Sequence, residues 1–141
     1  MAEYKFDGIE ELQRKPEIEG KVGTVIDLPG GRWLRVLAAS DNNPKWVARR
    51  KIVSEATRRM SNADVSDERY RKFMVPHFAE ALVIDWGGIK TEGVEIPFSA
   101  EACKAFLMVA DDAFTAISEI IYDNKKFRGD RIEVIVENAG N

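Results

Sequence analysis

An amphipathic helical pattern near the middle of the chain constrains the fold more than any other stretch. Aromatic, apolar and histidine side chains recur there at helical spacing: Tyr70, Phe73, Met74, His77, Phe78, Ala81 and Leu82. Such spacing is typical of a helix with one buried face. Ser66 precedes the pattern as a candidate N-cap. We therefore predict a helix over about 67–85, kinked at the interior Pro76.

Three further segments carry the start signals of helices. The predicted helices are about 44–60 after the cap Asn43, about 100–109 after Ser99, and about 112–126 after Asp111. Each preceding side chain is a good capping residue. Pro44 stands at a first helical position, where its missing N–H is tolerated. Helices therefore dominate the second half of the chain.

A β-hairpin is predicted before the helices, over about 22–38. Apolar residues alternate from Val22 to Leu28, and a Pro-Gly-Gly turn leads into Trp33–Leu37. An isolated hairpin is marginal in water, so its apolar face should pack on the helices. We predict a mainly α fold, with one helical domain over 1–128 that includes this hairpin. Residues 129–141 would form a tail, either a short helix or strand-like.

Composition limits the class of protein. The chain has 141 residues, 45% of them hydrophobic and 32% charged, which suits one soluble globular domain. Its net charge of -3 gives no overall attraction to nucleic acid or anionic membranes. No apolar run approaches the roughly 20 residues of a membrane span, and the acidic start lacks the pattern of a secretory signal. We expect a cytoplasmic protein.

Candidates for chemistry are few. His77 is the single histidine, so no multi-histidine metal site can form, and Cys103 is the single cysteine, so no internal disulfide can form. No local motif marks Cys103 as a nucleophile, and no glycine-rich nucleotide loop is present. We predict that the protein is not an enzyme and has no catalytic residues, no bound metal and no cofactor.

The predicted helix 44–60 is strongly basic. Its cations are Lys45, Arg49, Arg50, Lys51, Arg58 and Arg59, against the single acid Glu55. Clustered cations on one helix can neutralise phosphates. A solvated face paired with acids elsewhere, or an acidic protein partner, explains the same charges, and the sequence leaves these alternatives open.

The segment VIDWGGIKTEGVEIPFS, residues 83–99, is unlike a generic helical protein. Gly87 and Gly88 can adopt the left-handed conformation that ends a helix. Trp86 and Phe98 are expected to bury the connection with Ile89 and Ile96, while Pro97 leads to the Ser99 cap. We define residues 83–99 as the corner segment and predict that it joins two helices.

The order of these motifs resembles that in tail assembly chaperones of long-tailed bacteriophages. The matching positions are Asn43, Pro44, Lys45, Trp86, Gly88, Ile89, Gly93, Ile96, Pro97, Phe98 and Ser99. The resemblance spans roughly residues 20–128, and Pro76 departs from the straight helix of the family pattern.

This resemblance implies a non-enzymatic factor that binds the tape measure protein, prevents its aggregation and aids tail tube assembly. It also implies host bacterial cytoplasm, absence from the mature virion, and contact with the tail tube protein through a longer frameshifted form. No membrane or nucleic-acid partner is expected. Self-association into open oligomers would suit a long client. Two alternatives remain: a small nucleic-acid-binding regulator using the basic helix 45–59, and a virion structural or connector protein.

The residues predicted for partner or self contacts are large apolar side chains with two neighbouring cations. They are Trp33, Trp46, Arg49, Arg50, Phe114, Ile117 and Ile121. A structural role in the corner segment is predicted for Trp86, Gly88, Pro97, Phe98 and Ser99.

Overall fold

A computed structural model describes residues 3–60, 67–129 and 131–132. It confirms a mainly helical fold with an N-terminal hairpin. The helices are α1 Pro44–Arg59, α2 Asp67–Ala81, α3 Ala100–Val109 and α4 Asp111–Ile120. The strands are β1 Thr24–Leu28, β2 Arg32–Val36, β3 Val83–Gly87, β4 Lys90–Thr91, β5 Val94–Glu95 and β6 Arg131–Ile132.

The hairpin belongs to a four-stranded sheet with strand order β3-β2-β1-β6. The first three strands are antiparallel, and Ile26, Leu34 and Trp86 lie side by side across them. These three side chains are buried and share one face, since cross-strand partners point the same way. The helices cover that face, as the marginal stability of a lone hairpin requires.

The prediction of a helix over 67–85 is wrong at its C-terminal end. α2 ends at Ala81 and the chain enters β3, where Trp86 pairs with Leu34 of β2. The edge of β2 offers unpaired backbone groups, and pairing satisfies them while burying Trp86. α2 continues through Pro76, so the proline does not split the helix.

The predicted helix 112–126 is also shorter in the structure. α4 ends at Ile120, and Asn124–Phe127 form a separate 3-10 turn. The Asp123 carboxylate accepts the Lys125 backbone N–H and so caps this turn. The turn places Phe127 fully in the core. The burial of Phe127 therefore depends on this turn and not on a continuation of α4.

The described part of the tail is strand-like. Arg131 and Ile132 pair in parallel with Val25 and Ile26 of β1. The rest of the tail prediction falls on residue 130 and residues 133–141, which lie outside the described residues. The boundary of a single domain at residue 128 stays a prediction.

The core lies between the sheet and the helices. Phe78 of α2 stacks on Phe114 of α4 with ring centroids 5.0 Å apart, and Leu107 of α3 is fully buried. Burying a side chain of this size contributes about 1.5–3 kcal/mol. None of the described helices is long and apolar enough to cross a bilayer.

Candidate partner-binding surfaces

The corner segment is a strand followed by a small hairpin, so the predicted joint between two helices is wrong. β4 and β5 pair across Glu92 and Gly93, whose φ angles are 49° and 80°. Positive φ at both central residues is the requirement of a tight type I′ turn. Gly87 lies inside β3 and ends no helix. The corner segment therefore connects the sheet to α3.

Trp86 holds the corner segment to the rest of the fold. Its indole Nε1 donates a 2.8 Å hydrogen bond to the Ile96 carbonyl. The ring meets Phe98 and Phe106 edge to face, with centroids 5.4 and 5.6 Å apart. Ile89 is buried beside it. The segment is therefore held to both the sheet and α3.

The last residues of the corner segment set the start of α3. The exposed Pro97 stands between Ile96 and Phe98 and leads the chain to Ser99. The Ser99 hydroxyl accepts the Ala102 backbone N–H at 3.0 Å, which confirms the predicted cap. The direction of α3 is therefore fixed from its first turn.

Two of the glycines in the corner segment, Gly87 and Gly88, permit close approach to the first hairpin. A Cβ on Gly88, whose φ is 75°, would lie 2.6 Å from the Gly31 carbonyl oxygen. A Cβ on Gly87 would lie 2.1 Å from the indole Nε1 of Trp33. Trp33 thus lies over the Gly87 backbone, and it remains half-buried.

An open groove of about 540 Å³ lies between the turn of the first hairpin and the junction of α3 with α4. We call it the junction groove. Its apolar residues are Leu28, Pro29, Phe106, Val109, Ala110 and Ala113, and its charged residues are Arg32, Asp111 and Asp112. Val109 is 79% exposed. The groove can accept apolar side chains while its charged rim stays hydrated.

The two cations predicted for partner contact are already paired within the chain. Arg49 forms a 2.7 Å salt bridge to Glu80 of α2, and Lys104 of α3 binds the other oxygen of Glu80 at 2.9 Å. Arg50 pairs with Asp41. Glu80 thus links three helices, and the cations left for a partner lie elsewhere on α1.

Cys103 and His77, the two side chains considered for catalysis, are held in environments that suit a structural role. Burial raises the pKa of the Cys103 thiol to about 12, so the nucleophilic thiolate is scarce at neutral pH. Arg49 donates to Nδ1 of His77 at 3.2 Å, which requires a neutral imidazole. Burial and the Arg49 charge lower the pKa of His77. Within the described residues, no cluster of His, Cys, Asp and Glu could hold a metal ion.

Most of the apolar residues predicted for partner contact lie in the core. Trp46, Phe114, Ile117 and Ile121 are each less than a tenth exposed. Trp46 meets Tyr122, and Phe114 meets Phe78 and Tyr70, so these rings hold helices together. Of the predicted apolar set, only Trp33 is partly accessible.

The junction groove was not among the predicted sites, although the sequence carries a signal for it. Cys103, Phe106, Leu107 and Ala110 share the predicted buried face of α3, and Val109 lies off that face. An apolar residue outside the helical pattern marks exposed apolar surface. What the sequence lacks is the position of Leu28 and Pro29 on the other side of the groove.

Comparison with known families decides the origin of the chain. A family model described as YdaY prophage protein matches residues 40–138, which is more than half of the sequence. The chain belongs to the YdaY prophage protein family. The YdaY match includes Asn43, all four helices and the corner segment, whereas the first hairpin precedes it. Comparison with curated proteins gives no match, and comparison with solved structures gives none either.

Proposed function

We propose that this prophage protein is a tail assembly chaperone that binds the tape measure protein, prevents its aggregation and aids tail tube assembly. The observation that carries the proposal is the open junction groove, with its apolar wall and exposed Val109. Prophage family membership and the ordered motifs from Asn43 to Ser99 agree with it. The proposed place of action is the host cytoplasm. The protein would be released during tail assembly and would be absent from the mature virion.

The groove suits a client made of helices with apolar stretches. An amphipathic helix binds by laying its apolar face into such a groove, with side chains one turn apart as anchors. Phe106 and Ala110 supply contact area, while Asp112 favours a client with a cation beside its apolar face. Asp111 is already paired with Arg71 of α2. Binding of this kind needs no catalytic group. Contact with the tail tube protein, through a longer frameshifted form, belongs to the same proposal.

Co-expression with the tape measure protein of the same prophage tests the proposal. The tape measure protein should become soluble and be captured with a tagged copy of this chain. Val109→Asp should reduce capture by at least about tenfold, because it places a charge in the apolar contact. Val109 is exposed, so the variant should fold.

Val94→Asp is the matched control, since Val94 is a similarly exposed valine on β5, outside the residues that line the groove. It should capture the tape measure protein as the wild type does. A client that stays insoluble beside well-folded wild-type protein would contradict the proposal. If Val109→Asp and Val94→Asp capture the tape measure protein equally, the junction groove is not the binding site for this client.

The two alternatives give different results in the same system. A nucleic-acid-binding regulator would bind duplex DNA with an affinity that falls steeply with salt, and neutralising Arg58 and Arg59 would weaken it. A structural or connector protein would be found in purified particles. The exposed cations of α1 are the observation that favours the first alternative.

A further inference from the structure

The first described residues form an exposed segment that is both acidic and apolar. We call residues 3–12 the N-terminal arm. Tyr4, Phe6 and Leu12 are 79%, 67% and 77% exposed, although each is a large hydrophobic residue. The arm also has four carboxylates: Glu3, Asp7, Glu10 and Glu11. None of them forms a salt bridge within residues 3–60, 67–129 and 131–132.

The base of the arm is firmly held. Both oxygens of the buried Glu19 accept hydrogen bonds from the Arg14 guanidinium. The Arg128 guanidinium donates a 2.8 Å hydrogen bond to the Glu11 carbonyl. The arm therefore leaves the domain at a defined place while its apolar side chains stay uncovered.

The outward side of α1 has the complementary character. We call it the basic face. It comprises the exposed cations Lys45, Lys51, Arg58 and Arg59, the half-buried Glu55 between them, and the exposed apolar residues Val47 and Ile52. Among the described side chains, none pairs with these four cations. With Lys5 counted on the arm and Glu55 counted on the basic face, the net charges of the two surfaces are -3 and +3, so they are complementary.

The geometry points to a second copy of this chain as the partner of the arm, and we propose that the arm of one copy docks on the basic face of another. Opposite charges would guide the encounter. Tyr4, Phe6 and Leu12 would then bury apolar area against Val47 and Ile52, which supplies the larger part of the free energy. One contact would thus cover both the exposed apolar residues of the arm and those of the basic face.

Docking of the arm on its own α1 is not what the structure adopts. Arg14 at the base of the arm and Arg50 of α1 line the same pocket, so the two elements come near each other. Even so, Tyr4, Phe6 and Leu12 remain more than two-thirds exposed. The contact we propose joins two different patches, so each copy has both a donor and an acceptor surface.

This inference deepens the proposed function, because repeated weak contacts between copies would extend along a long client. It uses surfaces other than the junction groove and requires no client. Self-association can therefore be absent while capture of the tape measure protein succeeds. Self-association can equally be present while capture fails.

A charge-swap experiment on the full chain tests the inference. One variant combines Asp7→Lys with Glu10→Lys, which, with Lys5 counted, changes the net charge of the arm from -3 to +1. The other combines Lys51→Glu with Arg58→Glu, which, with Glu55 counted, changes the net charge of the basic face from +3 to -1. In either variant alone the two surfaces have like charge, so self-association should weaken by at least about tenfold. An equimolar mixture restores opposite charges at every arm-to-helix contact between the two variants, so association should return.

Sedimentation equilibrium over a concentration series gives the readout. The average mass of the wild type should rise with concentration, and less so at 1 M than at 0.1 M salt because screening shortens the range of the attraction. The matched control combines Lys125→Glu with Lys126→Glu, two exposed cations of the 3-10 turn. It makes the same change in charge as the helix variant and should associate as the wild type does. Circular dichroism confirms that every variant is folded.

Three results would overturn the inference. One is a wild type that stays monomeric throughout the series, which is also the outcome if the arm docks on its own helix. Another is a mixture of the two variants that fails to associate. The third is a monomeric wild type that binds duplex DNA and loses that binding when Lys51 and Arg58 are reversed, since the basic face would then serve phosphates.

Discussion

At the scale of single residues, Glu19 is the most informative side chain. It is fully buried, yet it is a carboxylate. Arg14 binds both of its oxygens, and Asn42 donates to one of them at 3.3 Å. A buried charge of this kind is tolerated only when it is paired and hydrogen-bonded. Glu19 therefore fixes the base of the N-terminal arm against the loop that precedes α1.

Replacing this carboxylate should make stability less dependent on pH. Burial acts to raise the pKa of Glu19, but hydrogen bonds from Arg14, Ser40 and Asn42 bring it below its ordinary value. The unfolded chain then binds more protons than the folded chain in acid. The contribution of Glu19 is complete above its unfolded pKa of about 4.3 and is lost as pH falls through the lower folded pKa.

Glu19→Gln should therefore lower the free energy of unfolding by about 1–3 kcal/mol at pH 7, with a smaller difference from wild type in acid. Urea unfolding over a pH series measures this. Glu17→Gln is the matched control, because Glu17 pairs only with the exposed Lys21 across one helical turn. It should change stability by less than about 0.5 kcal/mol. A difference for Glu19→Gln that is constant with pH would contradict the assignment.

At the scale of elements, Asn43 joins three segments. Its side-chain Nδ2 donates to the Ala38 carbonyl at 3.0 Å and to the Ala81 carbonyl at 2.9 Å. Its Oδ1 accepts the Trp46 backbone N–H at 3.3 Å. The same amide therefore caps α1 and ties it to the end of α2 and to the segment after β2. The Asn-Pro-Lys motif therefore joins three segments of the fold, whereas the sequence alone indicates only that Asn43 caps a helix.

Asn43→Ala should destabilise the fold by at least about 3 kcal/mol, because it removes three buried hydrogen bonds and leaves two carbonyl groups short of a donor. Thermal or urea unfolding measures the loss. Asn42→Ala is the control at the adjacent position, where the side chain donates one long hydrogen bond to Glu19. It should cost about 1 kcal/mol. Similar losses for both variants would mean that Asn43 acts only as a cap.

Local signals predicted the elements that depend on local chemistry. The caps at Asn43 and Ser99 and the Pro-Gly-Gly turn set α1, α3 and the first hairpin where the sequence indicated. The sequence does not reveal β3, because the apolar residues of that strand continue the helical pattern of α2. Only pairing with β2, which is distant in sequence, makes residues 83–87 a strand.

The candidate surfaces were harder to predict for a related reason. Helical spacing shows that Ile117 and Ile121 share a face with Phe114, but it does not show whether that face meets the core or a partner. In the structure that face meets the core. The exposed apolar residues are instead those outside the pattern, such as Val109, and those of the N-terminal arm.

At the scale of the whole molecule, the core is continuous from the sheet to α4. One cluster of buried residues includes Ile26 of β1, Trp46 of α1, Trp86 of β3 and Ile117 of α4. A shared core of this kind leaves no boundary at which one part could unfold alone. A single domain over residues 1–128 stays a prediction, and the continuous core suggests how to test it.

A single domain should unfold in one cooperative transition. In a Trp33→Phe variant, the remaining tryptophans Trp46 and Trp86 are both buried, at 2% and 5% exposed, so their fluorescence reports the core. Far-ultraviolet circular dichroism reports the helices. The two signals should give the same urea midpoint, and the wild type should have the same midpoint by circular dichroism. If fluorescence changes at a lower urea concentration than the helical signal, then the sheet and α1 separate from the remaining helices. In that case the continuous core does not act as one cooperative unit, and the chain contains more than one domain.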